Sequence, residues 1–319
     1  MKIGLIGAAG TLGSCAAFAI VEKKLPGELW LFDIKRNVLL AHHMDLQIAA
    51  SVLGEMSVHA ADSFADLAGC DVVVNTAGAA PREIANRMEL LADNIRIGRM
   101  VANEIGKSCP EAVVINATNP VDPINYAFQL ITGMKRKNFI GYSINDTYRL
   151  RMNAARKLGV SATRIEAFVA GEHGPNQVPL WSTMKLDGKP LPTPPELREY
   201  VVAECQKFLS DYESLHSGRT AGWISGVGIS DMVRAVVLDT KEVFPCSVIL
   251  DGEYGRRGFS AGVPASIGRS GVQEVVEMPL PADEKAKLEA AFDYLENTAK
   301  TVRELLAAPA ASPQAAAKS

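Results

Sequence analysis

The sequence has few cysteines, and they form no recognisable pattern. Cys15, Cys70, Cys109, Cys205 and Cys246 are odd in number and widely scattered, and no two of them make a Cys-x-x-Cys pair. Secreted disulfide frameworks and structural zinc sites need paired cysteines at short or regular spacings. The pattern therefore favours a reduced cytoplasm over both, and it predicts no metal site.

A long apolar run and an excess of one charge are also lacking. The net charge is -3 over 319 residues, which gives no reason to expect binding to nucleic acid or to an anionic membrane. No apolar run approaches the roughly 18 residues that a membrane span requires. Lys2 is followed at once by a strand-like run from Ile3 to Ile6, so we expect no signal peptide. The absences together predict a cytoplasmic globular protein.

Short apolar runs alternate with helical patterns through the first half of the chain. Strands are predicted at residues 2–7, 29–33, 71–76, 112–116 and 139–141, and helices at residues 11–24, 37–53, 86–108 and 121–132. Regular alternation of strand and helix is typical of an α/β fold with a doubly wound parallel sheet.

The second half is mixed, and predicts an α+β domain. Strands are predicted at residues 164–170, in a hairpin at 185–189 and in a small antiparallel sheet at 248–267, and helices at 196–216, 221–238 and 282–306. A helix begins after Ser143, so we place the domains at residues 1–143 and 144–306. The Ala/Pro-rich tail, residues 307–319, has no large apolar residue and is expected to be disordered.

A glycine-rich turn follows the first predicted strand and opens the first helix. Glycines there permit a tight turn and close approach of the backbone to a pyrophosphate, which a helix N-terminus attracts. Asp33 ends the second strand, twenty residues beyond Gly13. Its carboxylate can accept hydrogen bonds from both ribose hydroxyls and would repel a 2′-phosphate. The pattern predicts a Rossmann domain that binds NAD rather than NADP, although a plain strand–helix turn and a solvated acid are the alternatives. The candidate cofactor-binding residues of this region are Gly7, Gly10, Thr11, Leu12, Gly13 and Asp33.

Two polar segments of the second half carry the groups of an acid–base reaction. Asp146 and Arg149 are three residues apart, which places both on one face of a helix, and His173 lies between Gly171 and Gly174. Histidine can give or take a proton near neutral pH, and a buried carboxylate would fix its tautomer. An arginine fork can hold a carboxylate. The set suits hydride transfer to the keto group of a small acid; the alternatives are a core histidine, a capping aspartate and a surface arginine.

At this point the chain resembles the L-lactate/malate dehydrogenase family, over nearly its whole length to about Leu306. The matching pieces, in the family's order and spacing, are residues 7–13, Asp33, residues 76–78, Arg87, and residues 119–122, 146–149, 171–174, 252–255 and 262–264. The Gly-x-x-Gly-x-x-Gly form of the first piece is closer to the malate branch.

The resemblance implies a role for each catalytic candidate. His173 would be the proton donor and acceptor, Asp146 its partner, and Arg149 the group that binds the substrate carboxylate. Arg87 would lie on a mobile loop that closes over the substrate and would polarise the carbonyl.

The resemblance also implies contacts around the substrate, and an assembly. Asn119 would contact both substrate and nicotinamide, and Thr220 would line the pocket. NAD would be the cofactor, and the partner a small 2-oxo or 2-hydroxy acid. A homodimer or homotetramer is implied. The helix at residues 37–53, which has few charges, is a candidate for subunit contact through its apolar residues Leu39, Leu40, Met44, Leu46 and Ile48.

Three departures from the family predict an unusual substrate pocket. Residues 79–87 lack the glycine that is usual in the family's loop. Pro175 and Asn176 follow Gly174 where the family usually has aspartate and a small polar residue. Asn145 replaces the leucine that usually precedes the catalytic aspartate.

The substrate side chain is the open question. In the family a loop arginine near Arg82 pairs with the second carboxylate of malate; here Pro81 holds the strictly aligned place and Arg82 follows it. Arg219, just before Thr220, is a second candidate, and for either arginine the alternative is a solvated surface residue. Malate/oxaloacetate is favoured, with lactate/pyruvate or a bulkier or sulfonated 2-oxo acid as alternatives.

Two rival functions fit the residues less well. An NAD-dependent glycoside hydrolase shares the general fold but carries a cysteine–histidine metal pair, and no cysteine lies beside Asn119. A non-catalytic NAD-binding protein has no reason to keep Asp146, Arg149 and His173. The sequence therefore predicts an NAD-dependent L-2-hydroxy acid dehydrogenase.

Overall fold

The structure is a computed structural model that describes residues 1–79 and 87–308, with the main chain alone at residues 87–89. The predicted tail lies outside the described residues from residue 309 onward. Arg82 and the side chain of Arg87 lie outside them as well.

Strands and helices alternate through the first half of the chain, as the apolar pattern predicts. The strands of the described residues are β1 (Lys2–Ile6), β2 (Glu28–Phe32), β3 (Ser57–Ala60), β4 (Val72–Asn75), β5 (Val113–Asn116), β6 (Phe139–Gly141), β7 (Ile165–Glu166), β8 (Val169–Gly171), β9 (Gln177–Pro179), β10 (Lys185–Leu186), β11 (Lys189–Pro190), β12 (Glu242–Asp251), β13 (Arg257–Gly268) and β14 (Gly271–Val275). The helices are α1 (Thr11–Glu22), α2 (Arg36–Leu53), α3 (Arg87–Ser108), α4 (Val121–Thr132), α5 (Asn145–Leu158), α6 (Pro195–Ser214), α7 (Gly222–Leu238) and α8 (Ala282–Ala307).

The first six strands form a parallel sheet in the order β3-β2-β1-β4-β5-β6. β4 and β5 are buried along their whole length, because parallel strands covered by helices on both faces need continuous apolar runs. The predicted α/β doubly wound sheet is confirmed. β3 escaped prediction because its sequence, Ser-Val-His-Ala, carries only a weak apolar pattern.

The second half extends the same sheet. β12 pairs antiparallel with β6 through Ser247 and Gly141, and the sheet continues through β13, β8 and β9. The strand predicted at residues 164–170 is wrong as a single element. The chain changes sheets there, since β7 pairs with β10 in a separate three-stranded sheet while β8 pairs with β13 and β9.

Helix α7 packs very closely against α1. A Cβ added at Gly226 would lie 2.7 Å from the carbonyl oxygen of Cys15, and one added at Gly222 would lie 2.8 Å from the Cys15 sulfur. Only glycine permits backbones to approach this closely. The contact holds the segment before α7, which contains Arg219 and Thr220, near the start of α1.

No helix within residues 1–79 and 87–308 has both the length and the apolar character that a membrane crossing requires.

Gly226→Ala is expected to lower the free energy of unfolding by about 1–3 kcal/mol, because the new methyl group would overpack the α1–α7 contact. Gly106, inside α3, is the matched control. A Cβ there meets Thr132 at an ordinary 3.5 Å, so Gly106→Ala should be neutral or stabilise by up to about 1 kcal/mol through helix propensity. Denaturant unfolding of the two variants checks the difference, and equal effects would contradict the packing argument.

Candidate active site

The glycine turn lies at the carboxyl end of β1, where ligands bind in open α/β sheets. Gly7 has a φ of +86°, a left-handed conformation that suits glycine, and its N–H donates to the carbonyl of Phe32. A Cβ at Gly13 would lie 2.1 Å from the carbonyl oxygen of Gly7, so the helix can start against the turn only with glycine there. Gly10 caps α1 without a side-chain bond, and the described first turn has no acidic residue. This geometry suits an anionic pyrophosphate.

Asp33 ties the end of β2 to the glycine turn. Its Oδ2 accepts the N–H of Ala9 at 2.9 Å, and its Oδ1 accepts the N–H of Lys35 at 2.8 Å. Each carboxylate oxygen has further lone pairs, so the half-buried group can still accept ribose hydroxyls. The turn and the acid therefore fit a dinucleotide without a 2′-phosphate.

Asp146 forms hydrogen bonds to both of the other catalytic candidates of the second half, His173 and Arg149. It lies in the first turn of α5 and is 7% exposed. Its Oδ2 accepts a hydrogen bond from Nδ1 of His173 at 2.6 Å, and its Oδ1 accepts one from Nη1 of Arg149 at 2.6 Å. The structure thus brings together three residues that the sequence places up to 27 positions apart.

Neighbouring charges determine the direction in which the pKa values of Asp146 and His173 are shifted. Burial raises the pKa of Asp146, but the charge and hydrogen bond of His173, together with Arg149, outweigh it, so the pKa is lowered. Burial lowers the pKa of His173, but the charge of Asp146 and the bond to it prevail, so the pKa is raised. A histidine held through Nδ1 in this way presents Nε2 as a proton donor at neutral pH.

Arg149 is held from two sides. Nη1 donates to Asp146, and the guanidinium carbon lies 5.6 Å from the centroid of the Phe208 ring. Among the described residues Asp146 is its one hydrogen-bond partner, and a guanidinium carries five N–H donors. The remaining donors are available for a carboxylate.

The other described candidates, Asn119, Arg219 and Thr220, lie on exposed loops. Asn119 follows β5, and its carbonyl accepts a bond from Asn94 Nδ2 at 2.6 Å. The Thr220 carbonyl accepts the N–H of Gly222 at 2.7 Å, just before α7. Burial raises the pKa of Cys15 on α1, while the nearby positive charge of Arg219 opposes this rise.

Asn145, one of the three departures from the family pattern, has a structural role. It is buried, its Oδ1 accepts the hydroxyl of Tyr142 at 2.7 Å, and its Nδ2 donates to Ser225 Oγ at 2.8 Å. The amide therefore links α5 to α7 behind the catalytic group. Asn176, at a second departure, bonds the Glu172 carboxylate through its side chain at 2.7 Å.

Asp122, for which the motifs predicted no role, lies against the candidate histidine, His173. Its Oδ2 accepts the main-chain N–H of His173 at 2.8 Å. Two signals were available: Asp122 belongs to the family motif at residues 119–122, and it is the one charged residue of helix α4. Within the described residues, no group of three or more His, Cys, Asp or Glu side chains could hold a metal ion.

Comparison with known proteins finds matches along nearly the whole chain. Residues 1–141 match the family described as lactate/malate dehydrogenase, NAD binding domain, and residues 145–211 and 219–306 match lactate/malate dehydrogenase, alpha/beta C-terminal domain. The malate dehydrogenase of Bacillus pumilus is 33% identical over 307 residues, covering 94% of this chain and 98% of that protein. The malate dehydrogenase of Desulforudis audaxviator is 34% identical over 304 residues, covering 94% and 97%.

Solved structures give the same result. Malate dehydrogenase from Cryptosporidium parvum superposes with a TM-score of 0.88 at 29% identity, covering 95% of this chain and 99% of that one. Lactate dehydrogenase from the same organism, in complex with lactic acid and nicotinamide adenine dinucleotide, gives a TM-score of 0.89 at 30% identity, with coverages of 97% and 98%.

We expect kcat/KM to be far higher with NADH than with NADPH, because the Asp33 carboxylate would face a 2′-phosphate. Asp33→Asn keeps an oxygen that accepts the Ala9 N–H but removes the charge. It should therefore reduce the preference for NADH over NADPH, chiefly by raising kcat/KM with NADPH. Steady-state kinetics with both cofactors measures this ratio. Equal kcat/KM values in the unmodified enzyme would refute the assignment of Asp33.

Proposed function

The chain belongs to the lactate/malate dehydrogenase family, and we propose that it interconverts malate and oxaloacetate. The family resemblance inferred from the motifs is confirmed, so the protein is an NAD-dependent 2-hydroxy acid dehydrogenase. The observation that carries the proposal is the group of His173, Asp146 and Arg149, in which the buried Asp146 carboxylate holds an imidazole for proton transfer and a guanidinium for binding a carboxylate. The Bacillus and Desulforudis relatives, named malate dehydrogenases, support the choice of substrate.

The proposed chemistry divides between the cofactor and the chain. The glycine turn and Asp33 would hold NAD, which would supply the hydride donor or acceptor for C2 of the substrate. His173, held through Nδ1 by Asp146, takes the proton from the hydroxyl during oxidation and returns it to the keto oxygen during reduction. Its raised pKa keeps the proton on the ring at neutral pH, as reduction requires.

Positioning residues surround the reacting carbon. Arg149 holds the substrate carboxylate with the donors that Asp146 does not use. Asn119 contacts substrate and nicotinamide, Thr220 lines the pocket, and Arg87 polarises the carbonyl. For Arg87 the support is the family motif, since its side chain lies outside the described residues.

We propose a homodimer or homotetramer built on α2. Leu40, Met44, Ile48 and Val52 recur every four residues and are 38%, 67%, 67% and 80% exposed. Residues four apart share one helix face, so they form an apolar stripe. Of the other apolar residues of this helix, Leu39 and Leu46 pack into the protein's own core instead.

We also propose a cytoplasmic location and a boundary between two domains near Ser143. All five cysteines are free thiols in the described chain, which supports a cytoplasmic location. The two family matches meet between residues 141 and 145, which supports a domain boundary near Ser143.

His173→Asn should lower turnover of the preferred 2-oxo acid by about 10²–10⁴-fold, because general acid–base help is lost. NADH binding, measured by fluorescence titration, should change little. The assay uses a panel of oxaloacetate, pyruvate and branched or sulfonated 2-oxo acids. Turnover close to that of the unmodified enzyme would remove His173 from the mechanism, and preference for another panel member would replace the substrate assignment.

Arg82→Gln is expected to lower kcat/KM for oxaloacetate much more than for pyruvate, because Arg82 is proposed to pair with a second carboxylate that pyruvate lacks. Beside the neutral side chain of pyruvate an enclosed arginine would be unpaired, which is costly. Arg219→Gln is the matched comparison, since Arg219 is the other arginine proposed to reach the pocket. The oxaloacetate/pyruvate ratio of kcat/KM is measured for both variants. A ratio changed only by Arg219→Gln would place Arg82 on the surface and assign selection to Arg219.

A further inference from the structure

A layer of buried polar side chains lies directly behind the catalytic histidine. Asn116 on β5 donates to Asn125 on α4 at 3.1 Å, and Asn125 donates to the Ser260 hydroxyl on β13 at 3.0 Å. The Ser260 and Ser247 hydroxyls are 2.8 Å apart. None of these four side chains is more than 2% exposed. The layer therefore joins the parallel strands, α4 and the antiparallel strands by direct hydrogen bonds between side chains.

Asp122 ends this layer on the side of the active site. It is 1% exposed, and its two oxygens have different partners. Oδ1 accepts the hydroxyl of Ser247 at 2.5 Å, and Oδ2 accepts the main-chain N–H of His173 at 2.8 Å. A carboxylate buried this deeply is costly unless it is hydrogen-bonded and lies near a positive charge. His173 supplies both a donor and, when protonated, that charge.

We propose that Asp122 is a second positioning carboxylate for His173, which fixes the histidine by its main chain and stabilises the protonated imidazole through space. The inference rests on the proposed role of His173 as the acid and base. Asp146 then orients the imidazole ring of His173 through Nδ1, and Asp122 positions the main chain of the same residue through its N–H. Asp122 itself touches no reacting atom.

The charges around His173 support the proposal. The described titratable and charged groups that act on it are Asp146 and Arg149 from α5 and Asp122 from α4, and Glu172 precedes it in its own loop. Two carboxylates thus offset Arg149 and the imidazolium. Burial lowers the pKa of His173, Asp146 raises it most, and the charge of Asp122 raises it further.

Asp122 carries its charge over the pH range in which this matters. Burial raises its pKa to about 6, against the lowering effect of the bonds from Ser247 and His173. The pKa of His173 is raised from 6.5. The carboxylate is therefore mostly ionised at the pH where His173 loses its proton, so its removal should make that proton come off at lower pH.

The test is the pH dependence of kcat/KM for 2-oxo acid reduction in Asp122→Asn, which keeps the shape and an acceptor oxygen but removes the charge. We expect the midpoint of the alkaline decline to fall by at least about half a pH unit, so that activity well above the midpoint drops about threefold or more. For oxidation of the 2-hydroxy acid, kcat/KM rises as His173 loses its proton, and the midpoint of this rise should move to lower pH by the same amount. An unchanged midpoint overturns the proposal, whatever happens to the maximal rate.

Ser260→Ala is the matched control. It removes hydrogen bonds from the same buried layer, one residue farther from Asp122, and leaves every charge in place. We expect its pH midpoint to equal that of the unmodified enzyme. A shift as large as that of Asp122→Asn would attribute the effect to loosening of the layer and would overturn the electrostatic role.

A measurement on the unmodified enzyme keeps the proposal testable if Asp122→Asn does not fold. The chain has five histidines, so ¹⁵N-histidine labelling gives few signals, and His173→Asn identifies the relevant one. Interacting groups titrate in coupled steps. The His173 ring signal should therefore show a second inflection near pH 6, from Asp122, beside its own at higher pH. A single inflection contradicts the coupling.

The two hypotheses fail in different ways. If His173→Asn retains full turnover, the proposed function itself is wrong. If His173→Asn is inactive while Asp122→Asn keeps the original midpoint, the acid–base role of His173 stands and only the role of Asp122 is lost.

Discussion

The buried charge of Asp146 is the constraint around which the candidate active site is organised. Removing one partner of a buried ion pair typically costs about 3–5 kcal/mol, whereas an exposed pair contributes at most about 1 kcal/mol. The pair of Arg164 and Asp187, each about half exposed, belongs to the second kind. Asp146 belongs to the first, so its bonds to His173 and Arg149 must form whenever the protein folds. The same bonds raise the pKa of the histidine and orient the arginine, so stability and the proposed catalysis require one geometry.

The fold meets this requirement by bringing the ends of several strands and the start of α5 to one edge of the sheet. Parallel strands end together at their carboxyl ends, which places the glycine turn, Asp33 and Asn119 along that edge. The antiparallel strands join the same sheet through β6 and β12, so β8 delivers His173 to the first turn of α5. Of the candidate catalytic residues, Asp146 and Arg149 lie on α5 and His173 follows the end of β8, whereas Arg219 and Thr220 lie on an exposed loop. This division suits a family in which one reaction serves several acids.

Buried polar side chains are paired throughout the described part of the chain, and this pairing connects its two halves. Within the described residues no buried side-chain nitrogen or oxygen lacks a hydrogen-bond partner. The layer from Asn116 to Asp122 spans both halves, and Asn145 links α5 to α7. A partly paired polar layer would cost more than an apolar one, so such layers specify a single arrangement. The departure at Asn145 is accommodated by this buried pairing, whereas Asn176 is exposed and bonds the Glu172 carboxylate.

The sequence by itself determined the elements and the chemistry of the site. Apolar periodicity and glycine positions reveal the parallel sheet, the turn before α1 and the helix that carries Asp146 and Arg149, because backbone preferences act over a few residues. The family motifs implied the role of each of these residues and of His173. Only the tertiary structure decided that residues 164–170 divide between two sheets, and that Asp122 bonds His173 across 51 positions. Such partners depend on how whole layers stack, and a pattern that repeats every two or four residues carries no record of which distant side chain will face it.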